Sequence, residues 1–166
     1  MNRIALLSCA IAATFALAAC NHQESPSETS QDVNKAQQEG AKDVNEAKQS
    51  AAQDNAEAQR KMDEARANAN ADMNKATDQG DVQDAQKDVA EQKTDTMDTE
   101  AKSRYDVAVT KAEADHKVAI EKCEGMPSAQ QSACKDEADK TLDAAKKAAQ
   151  QQLDSAKAAA ENTDGN

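Results

Sequence analysis

Residues 122 to 135 read KCEGMPSAQQSACK, and these fourteen positions constrain everything around them. Cys123 and Cys134 have ten residues between them. On one continuous helix they would stand roughly 16 Å apart at 1.5 Å per residue, far beyond the ~7 Å that a disulfide spans between Cα atoms. Pairing therefore demands a turn, and the intervening residues supply one. Gly125 offers a helix C-cap, Pro127 discourages continuation, and Ser128 with Gln131 three residues on forms a capping box for a new helix. Upstream, Tyr105, Val109, Ala112, His116, Ala119 or Ile120, and Cys123 recur at three- and four-residue spacing. Downstream, Cys134, Ala138, Leu142, Ala145, Ala149, Leu153 and Ala156 do the same. Two apolar stripes meeting at the cysteines predict an antiparallel helical hairpin over residues 101 to 162.

The rest of the chain is poor in large apolar side chains. Of the 166 residues 38% are hydrophobic, but fifteen of these lie in residues 1 to 19. From Cys20 onward forty-eight remain, thirty of them alanine. Leu, Ile, Val and Phe number ten there, about 7%, where a charged chain below roughly 20% struggles to form a globular core. Tyr105 is the one aromatic after the N-terminal segment, so the walls of a catalytic cleft are hard to build. There is no glycine-rich phosphate loop, no GxSxG and no paired His with Glu. Neither a cofactor nor a metal site is expected. From Cys20 the chain carries nineteen bases and thirty-one acids, net minus twelve, which opposes nucleic acid and anionic surfaces, so electrostatic partners are expected to be basic or cationic.

Between the hairpin and the N-terminus a repeat of period eleven appears: DVNKAQQEGAK (32 to 42), DVNEAKQSAAQ (43 to 53) and a decayed DNAEAQRKMDE (54 to 64). It returns as TLDAAKKAAQQ (141 to 151) and QLDSAKAAAEN (152 to 162). Eleven residues over three turns is about 3.67 per turn, so each repeated residue lands on nearly the same helix face. Acid-to-base pairs three apart, such as Asp32/Lys35, Glu39/Lys42, Asp63/Arg66 and Asp143/Lys146, should add a few tenths of a kcal/mol each. Gly80 followed by Asp81 reads as a helix stop and a new N-cap. Thr94, Thr96 and Thr99 interleaved with Asp95 and Asp98 make 94 to 100 a candidate hinge. Such alanine-rich eleven-residue repeats resemble late embryogenesis abundant proteins, and that resemblance implies a desiccation-protective chain that gains helix on drying.

At the N-terminus, Arg3 precedes an apolar run over residues 4 to 19 broken by Ser8 and Thr14. It is too short for a span of about twenty residues and reads as a secretory signal peptide. It ends Leu17-Ala18-Ala19-Cys20, which resembles the lipobox of bacterial lipoproteins. The resemblance implies acylation of Cys20, cleavage before it, and, with Asn21 rather than aspartate next, a lipid-anchored outer-membrane protein facing the periplasm. Residues 21 to 31, NHQESPSETSQ, read as a flexible tether, in which the lone His22 is solvated. Export makes the two hairpin cysteines oxidised, and closing their loop contributes about 3 kcal/mol. A redox pair would favour a two-residue gap and a metal site four ligands; only His116 is near, and it is expected to pack at the seam. Tyr105, Cys123, Gly125, Cys134 and Ala138 also resemble a group of uncharacterised alanine-rich exported proteins of proteobacteria, which brings no chemistry with it. The chain ends ENTDGN, without the terminal lysine through which the major murein lipoprotein is joined to peptidoglycan.

The expected architecture is all-α: extended helices with a disulfide-linked antiparallel hairpin, partly disordered, without a globular core. The expected parts are a signal peptide (1–19), lipidated cysteine and tether (20–31), an acidic helical or disordered repeat region (32–100), the stapled hairpin (101–162) and a disordered tail (163–166). The expected role is a non-enzymatic structural lipoprotein with the membrane as its partner through Cys20. The alternatives are a stress-protective chain, or an interaction module whose hairpin docks a periplasmic protein or a second copy.

Overall fold

The computed structural model describes residues 24 to 164; the signal peptide, Cys20 and His22 lie outside them. The described chain is all helical: α1 Pro26–Met73, α2 Gln79–Glu124 and α3 Ser128–Asp164. The first two helices begin where local chemistry starts them. Ser25 accepts from the Glu28 amide while the Glu28 carboxylate accepts from the Ser25 amide at 3.0 Å, with Pro26 in the first turn, a complete capping box. Residues 26 to 31, expected as tether, are therefore the first turns of α1. The second start also differs from expectation. Asp78, not Asp81, is the N-cap, its carboxylate accepting from Gly80 and Asp81 amides at 2.7 and 3.1 Å, so Gly80 lies inside the first turn of α2.

No break occurs at 94 to 100, which is continuous helix. Thr96 and Thr99 donate to the Gln92 and Asp95 carbonyls one turn back, at 2.8 and 2.9 Å, keeping their hydroxyls satisfied within the helix. The expected i,i+3 ion pairs are not the ones formed. Along the helices the bridges run mainly i,i+4, as in Lys35–Glu39, Lys42–Glu46, Glu57–Lys61 and Glu100–Arg104.

The helices pack α1 on α2 and α2 on α3, both antiparallel, whereas α1 and α3 do not meet. Ala114 faces α1 across from Gly40, and His116, two residues on, reaches α3 through Asp139. Two residues are about 200° around a helix, so α2 is sandwiched edge to edge and the protein is one helix thick. Register is constant: Thr29 lies at Gly125, Gly40 at Ala114, and the Ala58 carbonyl at Thr96.

The eleven-residue repeat is the α1 seam itself. Its second, fifth and ninth positions are Val33, Ala36 and Gly40, then Val44, Ala47 and Ala51, then Asn55, Ala58 and Met62. All nine are buried or half-buried, and most of their neighbours are exposed. A 3-4-4 spacing keeps this stripe straight along a helix. In α3 the same positions place Leu142, Ala149, Leu153 and Ala160 inward, while Ala145, expected in the stripe, is exposed. The most buried side chains are mainly alanines, with Met62 and Cys123.

Candidate functional site

The chemistry-bearing residues singled out by the sequence meet at the α2–α3 turn. Cys123 and Cys134 form a disulfide with Cα atoms 5.6 Å apart, and Cys123 is 1% exposed. The neighbouring residues brace it. Lys135 bridges to Glu124 at 2.8 Å. Gln131 donates to the Glu124 and Met126 carbonyls at 2.8 and 3.0 Å; it thus caps the end of α2 and does not reach back to Ser128 as a capping box requires. Gly125 has ordinary right-handed helical torsions, so it is not needed for a left-handed cap. It is needed for space: a Cβ there would stand 2.5 Å from Thr29 Cγ2. The first turn of α1 therefore sits directly against the disulfide turn. Sequence reasoning missed this contact, although the SPSE signature at 25 to 28 was available to announce an early helix start.

Carboxylates gather where these elements converge. Burial, reinforced by the carboxylates of Glu124, Asp32 and Glu24, raises the Glu121 pKa above its ordinary value, and Lys135 only partly counters it. Further along, His116 is half-buried at the α2–α3 seam with its Nε2 2.7 Å from Asp139 Oδ1, as expected of a seam residue. Lys146 crosses to Glu113 at 2.7 Å, and that partner raises its pKa.

The two faces of the layer differ. On one, an open groove of about 640 Å³ runs between α1 and α2, floored by Ala36, Gly40, Val44, Ala114 and Val118 and rimmed by Lys48, Lys111 and Lys122. A smaller groove between α2 and α3, with Leu142 and Ala138, shares Asp115 and Ala119 with it and so opens on the same side. On the other face the α1–α2 furrow is acidic, from Asp54, Glu57 and Asp106 to Asp72, Asp84 and Asp88. Among the described residues no group of three His, Cys, Asp or Glu is placed to hold a metal ion. No described helix is long and apolar enough to cross a membrane. No protein-family model matches the chain, and searches of curated proteins and of solved structures give no match either.

Proposed function

We propose that the chain is a bacterial lipoprotein, acylated on Cys20 and held at the periplasmic side of the outer membrane, where it serves as a non-enzymatic helical strut. The observation that carries this reading is the order of residues 4 to 20: an apolar run too short to span, closed by Leu17-Ala18-Ala19-Cys20. Two further features support a strut. Burial is confined largely to alanine at two helix seams, which leaves little to shape a substrate cleft. The disulfide at Cys123 and Cys134 is of the kind that persists in an oxidising compartment.

Occupation of the repeat positions by the α1–α2 seam favours this reading over a stress-protective chain that folds only on drying. A folded seam predicts strong helicity in dilute buffer. Circular dichroism of the mature soluble form tests the choice, and low helicity that rises on drying would reverse it. For the anchor, Cys20→Ser should abolish palmitate labelling and release the protein into the periplasm. Continued labelling of that variant would overturn the proposal.

A further inference from the structure

The net charge of the chain conceals a strong asymmetry between the two sides of the helical layer. Along α2, Asp95, Thr99, Lys102 and Asp106 line the acidic furrow on a stripe that continues through Glu113 and Lys117. Asp115 and Ala119, which line the apolar grooves, are two residues from Lys117 and so about 200° away. The grooves on the two sides therefore face opposite directions. Those on the acidic side are lined by ten carboxylate residues and three lysines. Those on the other side are lined by three lysines and the single carboxylate Asp115. Lys111 is paired with Asp115, whereas Lys48 and Lys122 carry no ion pair among the described residues.

We propose that this lysine-rimmed apolar face lies on a membrane surface and binds the headgroups of anionic phospholipids. The inference rests on the lipid-anchor reading, because the anchor supplies the proximity. Five residues lie between Cys20 and Pro26, so however that segment runs, six peptide steps place the start of α1 within roughly 20 Å of the acylated cysteine. The groove begins at Ala36, about 15 Å further along the helix. Tethering at this range raises the effective concentration of the face at the bilayer without any added contact.

The excess of acid does not forbid the contact. The layer is one helix thick, about 10 Å, which is close to the Debye length of about 8 Å at physiological ionic strength. Carboxylates on the far side are largely screened from the headgroups, while lysines at the near rim act at contact range. The shallow apolar floor between Lys48 and Lys122 lets their methylene stems lie along it with the ammonium groups at headgroup level. The acidic side then faces water, its more favourable environment.

The lipidated protein, with its native disulfide, tests this on vesicles. A fluorophore is placed through Ala41→Cys beside the groove or through Glu57→Cys on the acidic side, and is quenched by a nitroxide carried on lipid headgroups. In phosphatidylglycerol vesicles the probe at 41 should be quenched at least about threefold more than the probe at 57. The difference should collapse in phosphatidylcholine vesicles and in a K48E/K122E variant of unchanged helicity. Flotation with the vesicles reads the anchor separately. Protein that fails to float overturns the anchor and this inference together. Protein that floats with equal quenching at the two sites, or with a difference indifferent to lipid charge and to K48E/K122E, overturns the inference alone.

Discussion

Gly40 of α1 stands so close to Ala114 of α2 that a Cβ added to the glycine would lie 2.7 Å from the alanine Cβ and 3.4 Å from its Cα. Neither atom belongs to a flexible side chain, so the helices themselves must part. Gly40→Ala gains about 1 kcal/mol of helix propensity but incurs an overpacking cost of up to about 3 kcal/mol. The variant should lose about 1 to 2 kcal/mol, seen as a lowered melting midpoint by circular dichroism. Adding Ala114→Gly moves the small residue to the other side of the same contact and should restore most of the loss. Additive losses in the double variant would show that the two positions are not coupled.

Met62 occupies the ninth repeat position, where earlier repeats have Gly40 and Ala51, and it is 3% exposed. Met62→Ala should destabilise by about 2 kcal/mol, the lower end of the usual range. A seam already built for alanine one repeat earlier can close part of the gap. Chemical denaturation checks it, with a lowered midpoint at unchanged slope.

Reducing the disulfide should remove about 3 kcal/mol of loop constraint and loosen α3 from α2 while leaving much helix in place. Propensity is local and pairing is not. The cross-seam contacts that remain, Glu113–Lys146 and His116–Asp139, are partly exposed and individually weak. Melting with and without reductant reads this directly, and equal midpoints would assign the hairpin's stability to its alanine seam.

Glu121 gives a pH prediction with a definite sign. Its carboxyl pKa is raised by burial and by the neighbouring acids, so the folded state favours the protonated form. That contribution is complete below the unfolded carboxyl pKa of 4.5 and is lost as pH rises through the higher folded value. At neutral pH the charged group is a liability. Glu121→Gln should stabilise by a few tenths of a kcal/mol at pH 7 and flatten the stability profile just above the ordinary carboxylate range, while at pH 4 the two proteins should melt together.

The hairpin could be read from the sequence because its signals are categorical: two cysteines, a glycine and a proline within twelve residues. The seam of α1 was present as the eleven-residue period, but its partner was not. The side of α2 that receives it carries Ala85, Thr96, Ser103 and Ala114, small or hydroxyl residues with no pattern that distinguishes contact from solvent. Segment 94 to 100 looks like a hinge by propensity and is helix, because Thr96 is buried against α1 and its hydroxyl bonds within its own turn. The start of α1 at Pro26, capped by Ser25, is masked by its composition, since short polar residues around a proline read equally well as a linker. The lysine-rimmed face was not readable at all, since Lys48 and Lys111 become neighbours only when α1 and α2 are paired.

The contact of Thr29 with Gly125 puts the first turn of α1 beside the α2–α3 turn, so α3 runs from that end toward the opposite one. The described chain thus enters at one extremity of the rod and leaves, after the 37 residues of α3, about 55 Å along it. Tension applied between these two points would not peel the helices apart one contact at a time. It would slide whole seams past each other, loading many small contacts and the disulfide turn in parallel, so a rod seamed largely by alanine should resist pulling along its axis far better than pulling that separates its helices from one end.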